Sequence, residues 1–130
     1  MNRENFASGA VWEDLVGYSR AVKVGAHVFV SGTTATDGNG GIVGSGNAEA
    51  QTTQCLKNIA AALQRAGAQL SDVVRTRVYV TNIDDWEKIG RAHGAVFGAI
   101  RPASSMVEVA RLIAPELLVE IEADAIIEGA

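Results

Sequence analysis

The segment Arg101-Pro102-Ala103-Ser104-Ser105-Met106-Val107-Glu108-Val109-Ala110-Arg111 decides how this chain folds. Pro102 fixes its own φ and biases Arg101 away from helical backbone, so a turn ends here and a strand begins. Side chains then alternate: Val107 and Val109 point to one side, Met106, Glu108 and Ala110 to the other. Ser104 and Ser105 stand at the strand mouth, with Arg101 three residues upstream of Ser104. A carboxylate on an apolar strand is costly unless it is paired or used. The segment therefore reads either as an ordinary strand with one wet face or as the floor of a pocket.

Working upstream, Asp84-Asp85-Trp86-Glu87 has the form of a capping box, an Asp at the cap and a Glu three residues on. It predicts a helix to about Phe97 with Trp86, Ile89, His93 and Phe97 on one stripe. Gly90 and Gly94 weaken that helix and permit close approach of another backbone. Val73 to Thr81 reads as a strand, with Val74, Thr76, Val78 and Val80 on one face and Val73, Arg75, Arg77 and Tyr79 on the other. Asn47 caps a helix to about Ala66, closed by Gly67. Its apolar stripe is Thr52, Leu56, Ile59, Ala60, Leu63 and Ala66, with Gln51, Lys57, Gln64 and Arg65 elsewhere. Ser19–Val24 and Ala26–Ser31 form a hairpin about Gly25. Residues 37–47 are dense in glycine and read as a mobile connection, and residues 1–17 as irregular, with Trp12 anchoring the N-terminal arm.

Downstream, Leu117 to Ile127 is the last strand, with Val119, Ile121, Ala123 and Ala125 on one face and Glu120, Glu122 and Asp124 on the other. The two C-terminal strands are expected to be neighbours. The order is β-β-α-β-α-β-β, an α+β architecture with two helices on one face of a mixed sheet. The other face carries apolar side chains beside polar ones and invites another subunit.

At 130 residues the chain is expected to be one domain, residues 1–130, large enough for a core without metals or disulfides. Its formal charge of -4, with Lys and Arg scattered, argues against nucleic acid as the main partner. One cysteine, Cys55, forbids an internal disulfide and suits a reducing compartment. With no apolar run of membrane-spanning length, the expectation is a cytoplasmic protein with no membrane contact. His27 and His93 lack metal-ligand spacing, so no metal is expected. Neither phosphate-loop glycine pattern is present. Ser31, Ser104 and Ser105 lack a nucleophile elbow, and no histidine is placed by spacing to activate them. Cys55 falls mid-helix as a packing residue. Carboxylates remain: Glu108 or Glu120 could hold or deprotonate a water if desolvation raised its pKa, or could be salt-bridged to Arg111 or Arg77.

Five segments together resemble a known family: Gly17-Tyr18-Ser19-Arg20-Ala21-Val22; Val30-Ser31-Gly32-Thr33; Val78-Tyr79-Val80-Thr81-Asn82; Arg101 to Leu112; and Val119-Glu120-Ile121-Glu122-Ala123. They look like the RidA/YjgF family, whose labels include enamine/imine deaminase, translation inhibitor and endoribonuclease L-PSP. The likeness runs in order over roughly residues 10–127. It implies a chorismate-mutase-like fold and a homotrimer with a central barrel and a small-molecule cleft at each subunit interface. Deaminases of the family hydrolyse 2-imino or 2-enamino acids to 2-oxo acids and ammonia, without metal or cofactor. Carried over, the water-orienting glutamate is Glu120, and Tyr18, Ser31 and Gly32 line the cleft. The arginine that pairs with the substrate carboxylate falls at Ser104, and an asparagine of the second helix at Gly90; both are departures. Arg101, and more weakly Arg20 or Arg77, are the substitute cations to consider, with Ser104 and Ser105 shaping the cleft. Three readings follow: a cofactor-independent hydrolase of imine or enamine C–N bonds, a non-catalytic metabolite-binding or accessory protein, and a ribonuclease or translation inhibitor.

Overall fold

A computed structural model describes residues 2–129. Six strands form one sheet: β1 (Arg3–Phe6), β2 (Ala21–Val24), β3 (His27–Thr33), β4 (Val73–Val80), β5 (Ala103–Glu108) and β6 (Val119–Ile126). Three helices intervene: α1 (Val11–Val16), α2 (Ala48–Arg65) and α3 (Trp86–Phe97). The strand order is β1-β2-β3-β6-β4-β5. All neighbours are antiparallel except β4 and β5, which run parallel with α3 as their crossover. β6 inserts between β3 and β4 as the central strand, and its inward residues Val119, Ile121, Ala123 and Ala125 are 0–1% exposed. The mixed α+β architecture with both long helices over one sheet face is the expected one.

Several local expectations need correction. The N-terminal arm, expected to be irregular, carries regular structure within residues 3–17: β1 extends the hairpin, and α1 ends at Gly17, whose φ of 88° is glycine territory. Glu13, not Trp12, anchors this arm, since its buried carboxylate accepts from the Ser8 backbone N–H and hydroxyl while Trp12 stays 47% exposed. A bulge between Val73 and Arg75 turns Val73 into the core and leaves Val74 outside. Gln51 is fully buried: its amide donates to the Gly44 and Glu116 carbonyls and accepts from the Leu118 N–H, tying α2 to two loops. The predicted capping box is absent. Asn82 caps a 3-10 turn over Ile83–Asp85 that leads into α3, and Trp86 lies outside. Residues 37–47 are held rather than loose, with Asp37 accepting from the Asn39 and Gly41 N–H groups. Asn58 of α2 donates to the Thr34 and Thr36 carbonyls just upstream of that loop. Cys55 is buried as expected of a packing residue; burial pushes its thiol up to about 12.

Candidate functional site

The register of β3 against β6 slips between Val30 and Thr33, so Ser31 and Gly32 form a bulge. Bulges re-aim side chains next to functional sites. Here the chain is pinned on both sides: Ser31 Oγ donates to the Ser19 carbonyl at 2.6 Å, and Arg20 Nη2 donates to the Gly32 carbonyl at 2.9 Å. A Cβ at Gly32 would overlap the Glu120 carboxylate that packs over it, so the carboxylate keeps this position only over a residue without a side chain. The Arg20 guanidinium stands 5.7 Å over the Tyr18 ring, and its Nε–H is buried without a partner.

These groups line a cavity of about 1120 Å³. Tyr18, Arg20, Ser31, Gly32 and Glu120 form one wall, and Trp12 with the Asp37–Gly40 loop forms another. Glu120 is half-buried, and that burial raises its pKa; Arg20 opposes the shift and Glu122 adds to it. A carboxylate raised toward neutrality beside a compensating guanidinium is suited to accept a proton from water. Among the described residues no cluster of His, Cys, Asp and Glu could hold a metal ion.

Of the residues singled out from sequence, Tyr18, Ser31, Gly32 and Glu120 converge here. Arg101, Ser104 and Ser105 do not. β4 separates β5 from β6, so the two C-terminal strands are not neighbours. Register places Ser104, Met106 and Glu108 beside Thr76, Val78 and Val80 on the helix side. Ser105 pairs with Arg77, and Tyr79 with Glu120, on the opposite side. Glu108 and Glu120 are thus on different faces, and Glu108 accepts from the Ile83 N–H at 3.1 Å.

The candidate cations separate in the same way. Arg77 is committed to Glu122 and Asp124 at 3.4 and 3.1 Å on the open face. Arg101 has a φ of 60° and folds its side chain back onto the Gly98 carbonyl at 2.6 Å. Of these three Arg20 lines the Glu120 cavity, and Arg65 of α2 lines it as well. Spacing reasoning missed Thr76 and His93, which join Ser104 through hydrogen bonds of 2.8 Å each. The signal available was Thr76 on the inward face of its strand and His93 on the packing stripe of the next helix.

Comparison with known proteins adds independent findings. The family model described as Endoribonuclease L-PSP matches residues 11–127. A RutC family protein of Pyrococcus abyssi is 40% identical over 106 residues, 82% of this chain and 83% of its own. The 2-iminobutanoate/2-iminopropanoate deaminase of Salmonella typhimurium is 36% identical over 112 residues, 84% of this chain and 86% of its own. Among solved structures, Rv2704 of Mycobacterium tuberculosis, a member of the YjgF/YER057c/UK114 family, superposes with a TM-score of 0.89 at 51% identity. That match covers 97% of this chain and 100% of the other.

Proposed function

Because the chain belongs to the RidA/YjgF family, we propose that it hydrolyses reactive imine or enamine C–N bonds in a cleft built around Glu120. Relatives in the family include imine and aminoacrylate deaminases. The observation that carries the reading is the Glu120 carboxylate held over side-chain-free Gly32, beside Arg20, at the wall of an open cavity. Ionised Glu120 takes a proton from a water as its oxygen attacks the C=N carbon. The C=N electron pair moves to nitrogen, which receives the proton; collapse of the carbinolamine then releases ammonia and leaves a carbonyl. Arg20 steadies the Gly32 carbonyl and offsets the Glu120 charge, and neither role consumes a cofactor.

The cleft is proposed to lie between copies of the chain in a homotrimer. Ser104 and Glu120 lie on opposite faces of one sheet, so a cleft containing both needs two protomers. Phe29 and Val107 supply apolar surface on the open face, 46% and 47% exposed. The test is ammonia release from 2-iminopropanoate or 2-aminoacrylate generated in situ. Acceleration over the solvent rate is expected, and its absence for every imine tried would overturn catalysis. A second reading, a metabolite-binding protein without turnover, draws on the uncharged Ser104 where the resemblance places a clamping arginine. It predicts a ligand-dependent rise in melting temperature with no product formed.

A further inference from the structure

On the helix side of the sheet, away from the Glu120 cavity of the same protomer, three polar side chains form a chain through an apolar layer. Thr76 Oγ1, fully buried, lies 2.8 Å from His93 Nε2 and 2.8 Å from Ser104 Oγ. His93 is half-buried against the Phe97 ring, 4.7 Å between centroids, and burial lowers its pKa, leaving it neutral at pH 7. Ser104, at the outer end, is exposed on edge strand β5. Gly90 lies one turn before His93, and a side chain there would meet nothing within 4 Å, so the surface beside the imidazole is left open.

Among the described residues, the arginines and lysines nearest this face are turned away or paired. Arg101 is turned back to its own loop. At 3.6 residues per turn, Lys88 and Arg91 fall on the far side of α3 from His93, and Arg91 is paired with Glu87. The hydrogen-bond chain can run either way. With Nε2 unprotonated, Ser104 donates to Thr76, Thr76 donates to His93, and Ser104 offers lone pairs outward. With Nε2 protonated the order reverses and the Ser104 O–H is released outward. Either state presents one neutral hydrogen bond. A carboxylate brings only acceptors and a charge that no described cation of this face offsets, and in the neighbouring cavity Arg20 already faces Glu120; a carboxamide brings a donor and an acceptor on one small group.

We propose that Gly90, His93, Thr76 and Ser104 form a subsite for an uncharged amide-like group of the ligand, which makes this protein selective for neutral rather than carboxylate-bearing substrates. The proposal rests on the reading above, in which this face of one protomer closes the Glu120 cavity of its neighbour. The test compares pyruvamide with pyruvate as ligands, monitored by the His93 imidazole resonance in NMR, with His27→Asn used to tell the two histidines apart. Pyruvamide is expected to shift that resonance and to bind at least tenfold more tightly than pyruvate. Ser104→Arg is expected to invert the preference, and Ser104→Ala to weaken pyruvamide alone. Pyruvate binding as tightly as pyruvamide, or no response of His93 to either, overturns the subsite. The two failures are separable: hydrolysis intact with a preference for pyruvate overturns the subsite alone, and ligand response intact without any hydrolysis overturns catalysis alone.

Discussion

At the scale of single residues, the site depends on one carboxylate and the glycine beneath it. Gly32→Ala puts a methyl group where the Glu120 carboxylate lies. The end of a flexible side chain can swing away, so the expected result is a small change in melting temperature with loss of most activity, on the order of 10²-fold, as for a displaced general base. Glu120 and His93 also give opposite pH signatures. Burial raises the Glu120 pKa, so its contribution is favourable when protonated and is lost as pH rises from about 4.5 through its folded value. Glu120→Gln is therefore expected to stabilise the protein at pH 7 while it abolishes turnover. Burial lowers the His93 pKa, so stability is lost as pH falls below about 6.5 toward its folded value, and His93→Gln should flatten that part of the profile. Thermal melts of wild type and both variants between pH 4 and 8 read both signs.

At the scale of elements, periodicity located both long helices, the hairpin and the last two strands, because their inward faces are runs of aliphatic side chains at strand or helix spacing. The resemblance of their segments, not periodicity, brought Tyr18, Ser31, Gly32 and Glu120 forward as one group, together with Arg101, Ser104 and Ser105, which lie elsewhere. What periodicity could not see were contacts set by polar side chains and backbone register. The bulge that buries Val73 instead of Val74 breaks a period-two pattern without altering composition. The placement of β4 between β5 and β6, which splits Ser104 from Glu120, is a matter of topology. Gln51 looked solvent-facing because its residue type is polar, yet it makes three hydrogen bonds inside the fold. Gln51→Leu keeps the volume and strands the Leu118 N–H and the Glu116 carbonyl. It should cost roughly 2–4 kcal/mol, read as a lower urea midpoint at unchanged slope.

At the scale of the whole molecule, the sheet has one face under α2 and α3 and one without such cover. Phe29 and Val107, with the Arg77, Glu122 and Asp124 cluster between them, are what a second and third copy would cover. Charging that face, with Phe29→Glu and Val107→Asp together, is expected to shift the mass in solution from trimer to monomer while far-UV circular dichroism is kept. A wild-type chain that is already monomeric would remove the interface cleft. The central claim, that Glu120 does the proton transfer, meets its most direct test in one comparison. Hydrolysis of 2-iminopropanoate and 2-iminopropanamide, generated in situ, is followed with wild type and Glu120→Gln at pH 7. Wild type should accelerate the amide more than the acid, and Glu120→Gln should lose about 10²-fold or more of that acceleration; equal rates for the two proteins would contradict the assignment.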